Sequence, residues 1–384
     1  MVFELRKQTA IVGVYEHETR KATDKGRYQI IAECAERALG DAGLTKADVD
    51  GLYAYYFDAP TSAGLFLAEY LNINPRHVDS TSEGGSSFVA HLAHAAAAIA
   101  TGQCNVALIT YAATPRTGAG LVPSGEMPVP IPDGFTWPFG YSIVSAYALV
   151  AQRHMYEYGT TPEQLAEIAV TCRRNAANNP NARYRDPMTV EDVINSPMIA
   201  SPLHRLDCCV ISDGGGAVVV TSAERARDLK KPPVYVLGTG QACAHTGGGM
   251  KDFTSIAAKQ SGAEAFQRAG VTRKDIDVAQ IYDSFTITAL CTIEDLGFCK
   301  KGEGGAYVQG GRIAPGGELP INTDGGGLSS NQPGERGIFL IIEAARQLWG
   351  ESVNQVDNAK IALCHGTGGM GDVNFGATAI LARD

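Results

Sequence analysis

The fold is decided by the stretch AGVTRKDIDVAQIYDSF, which spans Ala269 to Phe285. Its pattern predicts the end of a helix, a short acidic turn and an apolar strand that runs into Tyr282 and Asp283. A close echo, AGLTKADVDGLYAY, spans Ala42 to Tyr55 at a constant distance, because 269 − 42 = 227 and 282 − 55 = 227. This distance is too long for a solenoid repeat. The chain is therefore predicted to contain two copies of one α/β half-domain.

The elements around the two copies follow the same order. In the first half, a Ser/Gly loop leads into the apolar helix 88–101 and then into a buried strand with the sequence CNVALIT. In the second half, a Gly-rich loop leads into the helix 338–349 and the strand sequence AKIALCH. This order favours a duplicated, layered α/β protein. We predict an N-terminal half at 1–232, which includes a loop and helical excursion at about 112–205, and a C-terminal half at 233–384.

Composition narrows the class of protein. The 384 residues are 45% hydrophobic and 19% charged, with a formal net charge of −9. An acidic chain without a long basic run is a poor candidate for nucleic-acid binding. The N-terminus shows no signal-peptide core, and the longest apolar run, Phe88–Ala100, is shorter than the roughly 20 residues that a membrane span needs. We expect a cytoplasmic protein with no membrane contact, and a buried helix at this run.

Several common site types are excluded by spacing. The nine cysteines form no zinc-like or disulfide-like pattern, which favours reduced, mostly buried thiols. The sequence lacks a phosphate-binding Gly-rich fingerprint, an HExxH metal motif and a Gly-x-Ser-x-Gly hydrolase elbow. We therefore expect no metal site.

Four loops carry candidate chemistry. Glu83–Ser87 enters the apolar helix, where backbone N–H groups suit an anion or an enolate oxygen. Tyr282–Phe285 follows a strand, a usual position for chemistry in an α/β sheet. Asn331–Pro333 offers two amide side chains, and Cys364–Gly369 contains a histidine suited to acid–base work. Each could instead be structural, but all four lie at matching points of the two halves.

Taken together, the motifs resemble the thiolase superfamily, in its sterol-carrier-type branch. The resemblance rests on AGVTRKDIDVAQIYDSF, SPLHRLDCCVISDGGGAVVVTS, INTDGGGLSSNQPGERG and CHGTGGMGD, and it covers nearly the whole chain. It implies the thiolase fold: two βαβαβαββ halves in a five-layer α-β-α-β-α sandwich, which is usually dimeric.

The departures from the thiolase pattern indicate the chemistry. Thiolases have a nucleophilic cysteine where the Ser/Gly loop meets the buried helix, and the matching position here is Gly84. Tyr282 replaces the asparagine of the NEAF motif, and Gln332 replaces the histidine of the GHP motif. The second thiolase cysteine corresponds to Cys364 or His365, and counting back from GGMG favours His365.

A thiolase scaffold without a thiolate lacks the group that carries the acyl chain. Retro-aldol cleavage of a β-hydroxyacyl-CoA needs only a proton acceptor and donors that hold the enolate. The segment Tyr282–Thr286 resembles thiolase-like aldolases of bacterial steroid side-chain degradation. The expected catalytic residues are Tyr282, with Asp283 orienting it, and His365. The expected substrate-binding residues are Gly84, Ser86, His245, Asn331, Gln332 and Gly369.

The same resemblance implies partners. We expect an acyl-CoA substrate with a bulky alicyclic tail, no cofactor besides CoA itself, and a homodimer core. A small partner with an OB-fold and a zinc ribbon would complete a heterotetramer. Two alternatives stay open: a transferase that uses Ser86 or Cys364 as nucleophile, and a non-catalytic protein that binds acyl-CoA or lipid.

Overall fold

The computed structural model describes residues 5–55, 63–118, 142–245, 252–371 and 373–384. In the first half the elements are β1 (Thr9–Glu16), α1 (Arg27–Ala42), β2 (Gly51–Tyr55), α2 (Ala63–Leu71), β3 (His77–Thr81), α3 (Ser87–Ala100), β4 (Val106–Ala113), α4 (Ile143–Tyr158), α5 (Pro162–Ala177), α6 (Val190–Ile194), β5 (Met198–Ala200), β6 (Leu203–His204), β7 (Gly214–Ser222) and α7 (Ala223–Ala226). In the second half they are β8 (Val234–His245), α8 (Ala258–Ala269), β9 (Val278–Ile281), α9 (Thr286–Asp295), α10 (Gly304–Tyr307), α11 (Gly337–Trp349), β10 (Ile361–Gly368) and β11 (Val373–Ala382).

Nine of the described strands form one mixed sheet, in the order β3-β2-β4-β7-β1-β8-β11-β10-β9. In the first half β2 is parallel to β3 and β4, while β7 is antiparallel to β4 and β1. In the second half β9 is parallel to β10, while β11 is antiparallel to β10 and β8. The strand order β2-β4-β7-β1 of the first half thus corresponds to β9-β10-β11-β8 of the second half. The halves meet where β1 pairs with β8, with Ala10 opposite Tyr235.

Helices α3 and α11 form the middle layer. Both contact strands of the two halves, and one buried apolar cluster joins them to the inward faces of those strands. Helices α1 and α8 cover the outer faces, over a second buried cluster. This arrangement confirms the predicted five layers, with the two half-sheets hydrogen-bonded into one. Among the described helices, none is both long enough and apolar enough to cross a bilayer.

The duplication is visible in side-chain contacts as well as in strand order. The Asp50 carboxylate accepts hydrogen bonds from the amides of residues 105–106, at the start of β4, at 2.7 and 2.8 Å. Asp277 repeats this contact with the amides of residues 360–361, at the start of β10, at 2.8 and 2.9 Å. Each aspartate fastens its strand to the parallel neighbour, so the predicted 227-residue register is confirmed. The predicted boundary at 232/233 falls between α7 and β8, and domain organisation stays a prediction.

The excursion lies over the end of β9. Helix α5 begins at Pro162, and the Thr161 side chain caps it by accepting a hydrogen bond from the Gln164 backbone N–H. On α4, the Tyr147 ring packs on Phe285 with centroids 4.3 Å apart. Part of the predicted long loop, residues 119–141, lies outside the described residues.

Candidate active site

Tyr282 lies at the centre of the candidate site. It follows β9 directly, so its side chain is placed at the carboxyl end of a parallel strand. The residue is 4% exposed. Its hydroxyl accepts a hydrogen bond from Gln332 Nε2 at 2.8 Å and donates one to Glu335 Oε2 at 3.2 Å. The structure therefore brings together two of the predicted residues, Tyr282 and Gln332, and adds a carboxylate.

Glu335, the added carboxylate, was not predicted from the sequence. It is half-buried in the turn before α11. Tyr55, at the end of β2, donates to its Oε1 at 3.2 Å, while Tyr282 donates to its Oε2 at 3.2 Å. Its backbone N–H donates to the Tyr111 hydroxyl at 3.2 Å, which in turn donates to the Pro333 carbonyl at 2.6 Å. Three tyrosines from three strand ends thus form hydrogen bonds with the turn that contains Glu335.

The electrostatics of this group suit proton transfer. Burial raises the pKa of Glu335 to about 7, and the hydrogen bonds from Tyr282 and Tyr55 oppose that rise. Burial, together with the nearby Glu335, raises the pKa of Tyr282 well above its ordinary value, so the phenol keeps its proton. A carboxyl group that titrates near neutral pH, joined to a protonated phenol, can move one proton in either direction.

Gly84 stands where the resemblance places the thiolase nucleophile. Its φ is +56°, in the left-handed region, and a Cβ on it would lie 2.9 Å from the Cα of Gly368. The same Cβ position is 3.9 Å from Glu335 Oε1. Backbone geometry thus excludes a side chain at residue 84, and a carboxylate faces that position instead. Gly369 follows with φ +74°, and its carbonyl accepts a hydrogen bond from Asn374 Nδ2 at 2.7 Å.

The two nucleophiles considered from the sequence have other roles in the structure. The Ser86 hydroxyl donates to the Glu83 carbonyl at 2.5 Å, and the residue is fully buried. Cys364 faces the middle layer, where its thiol lies 3.4 Å from the Leu340 carbonyl, and burial raises its pKa far above the ordinary value. Neither group is positioned or ionised for attack.

Cys209 is a thiol that interacts electrostatically with Tyr282. Its backbone N–H donates to the Ser284 carbonyl at 2.9 Å, and its thiol interacts electrostatically with Asp283 and Glu335. Burial and these carboxylates raise the pKa of Cys209 far above its ordinary value. The thiol is therefore neutral at pH 7 and is a poor nucleophile.

Of the two predicted histidines, His365 adjoins Tyr282 through the main chain only, because its carbonyl accepts a hydrogen bond from the Tyr282 backbone N–H at 2.9 Å. His365 follows Cys364 in β10, so its side chain points to the opposite face of the sheet. Its Nδ1 lies 2.9 Å from the Thr378 hydroxyl, which also contacts Ser261 of α8 at 2.9 Å. Burial lowers the pKa of His365 to about 3, so the ring is neutral. His245 ends β8 opposite residue 373, and its side chain lies outside the described part.

Asp283 and Asn331 belong to a buried polar network rather than to the Tyr282 hydroxyl. The Asp283 carboxylate accepts hydrogen bonds from the amides of residues 327–328 at 2.8 and 3.2 Å and lies 3.5 Å from Arg336 Nε. Asn331 Nδ2 donates to Glu16 Oε1 at 2.6 Å, and its Oδ1 accepts from Arg336. The predicted orientation of Tyr282 by Asp283 is therefore replaced by contacts to Gln332 and Glu335. Asp283 instead holds the backbone of the Gly-rich turn.

One buried group in the described ranges has three possible metal ligands: His154, Cys291 and Glu294. The Glu294 carboxylate already contacts His154 Nε2 at 3.0 Å and Lys301 Nζ at 3.1 Å. It also accepts hydrogen bonds from the amides of residues 302 and 304 at 3.0 and 2.8 Å. An ammonium group this close disfavours a cation, so this group is a structural ion pair.

Comparison with known proteins identifies the family. The model described as "Thiolase C-terminal domain-like" matches residues 240–383. The 17-hydroxy-3-oxo-4-pregnene-20-carboxyl-CoA lyase of Mycobacterium tuberculosis is 35% identical over 95% of this chain and 97% of its own length. The chain belongs to the thiolase superfamily. A solved structure of the Ltp2-ChsH2(DUF35) aldolase superposes with a TM-score of 0.90 at 33% identity, over 99% of both chains.

Superfamily membership alone does not select a reaction. The acetyl-CoA acetyltransferase of Methanothermobacter thermautotrophicus is also 35% identical, over 95% of this chain and 97% of its own length. Lyase and transferase relatives are thus equally similar in overall identity. In this member of the thiolase superfamily, the site has a glycine at residue 84 and a Tyr282–Glu335 pair beside it.

Proposed function

We propose that this protein cleaves a β-hydroxyacyl-CoA by a retro-aldol reaction, giving a ketone or aldehyde and a shorter acyl-CoA. One observation carries the proposal. At Gly84, the position that the resemblance matches to the thiolase nucleophile, a Cβ would meet the opposing main chain at 2.9 Å, while the Glu335 carboxylate, with a pKa of about 7 and a hydrogen bond from the Tyr282 phenol, lies 3.9 Å away. An acid–base pair without a nucleophile suits a reaction that moves protons and forms no acyl-enzyme.

The steps follow from the contacts. The Glu335 carboxylate takes the proton of the β-hydroxyl, and the oxygen forms the new carbonyl as the Cα–Cβ bond breaks. The electron pair of that bond passes to the thioester as an enolate. Backbone N–H groups at Gly84 and Gly369 are the proposed donors to its oxygen, and such donors are worth about 10²–10³-fold in rate. Tyr282 then protonates the α-carbon and recovers its proton from Glu335.

The substrate class is proposed from the relatives. The Mycobacterium tuberculosis relative is named a lyase for a hydroxylated steroid carboxyl-CoA, and the aldolase structure matches 99% of this chain. We therefore expect a β-hydroxyacyl-CoA with a bulky alicyclic tail. The test is to incubate the purified protein with a panel of β-hydroxyacyl-CoAs and follow both products by mass spectrometry. Binding without cleavage of any panel member would instead favour an acyl-CoA-binding protein.

Replacing Cys209 with alanine separates the lyase from a transferase. Because the proposed reaction forms no thioester with the enzyme, we expect Cys209→Ala to keep kcat within about threefold of wild type. Intact-protein mass spectrometry after incubation with acyl-CoA should show no added acyl mass. An acyl adduct on wild type that disappears in Cys209→Ala would establish the transferase alternative.

Gly85 offers a test of how the site is positioned. A Cβ on Gly85 would overlap the ring of Tyr282 and lie 2.7 Å from the Thr367 carbonyl. Displacing the phenol by about 1 Å is expected to cost about 100-fold in kcat. Gly40→Ala is the matched control, because a Cβ on this α1 residue meets nothing within 4 Å. Equal activity in the two variants would show that the ring position is unimportant.

We also propose the assembly. The solved aldolase is named with a second component, ChsH2(DUF35), which supports a partner protein for this chain. A small size, an OB-fold and a zinc ribbon for that partner are proposed from the family resemblance. Strand β3 is at the edge of the described sheet, and Val78 on it is 47% exposed, which supports a homodimer through this edge. Light scattering with and without the co-expressed partner tests both. A monomer under both conditions would contradict the heterotetramer.

The proposed reaction needs no cofactor besides CoA, and we propose the cytoplasm as its location.

A further inference from the structure

The last tyrosine of each copy of the repeated unit donates a hydrogen bond to the same carboxylate, that of Glu335. Tyr55 ends β2, Tyr282 follows β9, and the two are related by 282 − 55 = 227 residues. Tyr55 donates to Glu335 Oε1 and Tyr282 donates to Oε2, each at 3.2 Å. A carboxylate held at both oxygens by symmetry-related phenols cannot rotate without losing one of them.

We propose that Tyr55 is a positioning residue that fixes the Glu335 carboxylate and keeps it ionised for proton abstraction. This inference rests on the proposed function and adds a role for the first half of the duplication. Tyr55 is set for this by its own packing, because its ring lies 5.6 Å from Phe88 and 5.6 Å, edge-on, from Tyr111. The ring is therefore fixed independently of any substrate.

Among the described residues, the phenols of Tyr55 and Tyr282 are the side chains that stabilise the charge of Glu335 by donating hydrogen bonds to it. In the part of the chain that the structure describes, the titratable groups that face it are Tyr282, Tyr55 and Tyr111, with Tyr147 and Cys209 farther off. Burial raises the pKa of Tyr282, Tyr55, Tyr147 and Cys209, so these four stay neutral at pH 7. The adjacent guanidinium of Arg336 is turned away: its Nη2 lies 2.6 Å from both Asp324 carboxylate oxygens. Removing the Tyr55 hydroxyl thus takes away one of two donors to the buried carboxylate.

The expected effect is a change in pH dependence. A hydrogen bond stabilises the charged form of its acceptor, so its loss raises the pKa of the carboxyl group. In Tyr55→Phe we expect the acid limb of the kcat/KM profile to move up by about one pH unit, and the rate below the limb to fall about tenfold. The plateau at high pH should stay within about threefold of wild type, because the base still ionises there.

The experiment compares pH–rate profiles of wild type, Tyr55→Phe and Tyr53→Phe, each assembled with its partner protein. Tyr53 is the matched control: it lies two residues earlier on the same face of β2, and its hydroxyl faces Cys104 rather than Glu335. Circular dichroism and thermal melting confirm folding. A displaced acid limb with a retained plateau in Tyr55→Phe alone supports the inference.

Other outcomes overturn it. An unchanged profile means that Tyr55 does not affect Glu335, and equal loss of rate at every pH means that Tyr55 acts directly on substrate. Failure of the proposed function is a separate result, because it would appear as retained cleavage in Glu335→Gln or as a wild-type profile without an acid limb.

Discussion

Replacing Tyr282 with phenylalanine is expected to lower kcat for cleavage by about 10²–10⁴-fold, the usual range for loss of a general acid–base group. The ring still fills the space beside Gly85, so the fold should be kept while the hydroxyl is lost. That hydroxyl joins Gln332 and Glu335 in one hydrogen-bonded chain, and no other described group occupies its place between them. Single-turnover kinetics with a cleavable β-hydroxyacyl-CoA measures the loss at the chemical step.

Two further variants serve as comparisons for Tyr282→Phe. Tyr156→Phe removes a phenol that is 83% exposed on α4, and we expect it to leave kcat unchanged. His365→Gln examines the histidine expected from the sequence, whose ring contacts Thr378 on the other face of the sheet. We expect most of the cleavage to remain in His365→Gln. Loss in that variant together with full activity in Tyr282→Phe would reverse the assignment.

Replacing Glu335 with glutamine is expected to remove cleavage at every pH, by at least about 10³-fold, because an amide cannot accept the hydroxyl proton. In the wild type the base works only when ionised. The rate should therefore rise with pH through a limb near the Glu335 pKa of about 7 and level off above it. Stopped assays between pH 5 and 9 measure both curves.

The same variant should be more stable than wild type at high pH. The folded-state pKa of Glu335 is raised from 4.5 to about 7, so the folded protein binds this proton more tightly than the unfolded chain does. Wild-type stability therefore falls as pH rises through this window, and above it the buried charge costs on the order of 3 kcal/mol. Glu335→Gln lacks this cost, and denaturant unfolding at pH 8 should show the gain. Equal stability at pH 8 would mean that the carboxylate is well solvated.

The fold was predictable because its signal is repeated in the sequence. The echo of Ala42–Tyr55 in Ala269–Phe285 carries a helix end, an acidic turn and a strand in constant register, and each copy makes the same contacts. That residue 84 is a glycine is visible in the sequence, but matching it to the thiolase nucleophile rests on the family resemblance and stays a prediction. The repeat, in contrast, is a local pattern whose structural meaning does not require knowledge of distant contacts.

The acid–base group was only half predictable. Tyr282 lies at a strand end, where a polar residue stands out, but Glu335 lies in an ordinary polar turn. Its importance arises only when β2, β4 and β9 bring three tyrosines to it from residues 55, 111 and 282. The 227-residue repeat shows that Tyr55 and Tyr282 occupy equivalent positions, but it does not show that both donate hydrogen bonds to Glu335. Counting back from GGMG favours His365, but this spacing does not show that strand alternation turns the His365 side chain away from the face that Cys364 occupies.

The close approach of Gly84 to Gly368 has a consequence for redesigning this scaffold. With 2.9 Å between a new Cβ and the opposing main chain, introducing a cysteine at residue 84 forces one of two loops to move. The left-handed backbone adds a further penalty of about 1–2 kcal/mol for any non-glycine residue. A library that varies residue 84 alone is therefore expected to yield proteins with distorted loops rather than transferases that form carbon–carbon bonds. Because the spacing between the two main chains prevents a side chain here, converting the lyase into a transferase requires remodelling both glycine turns together.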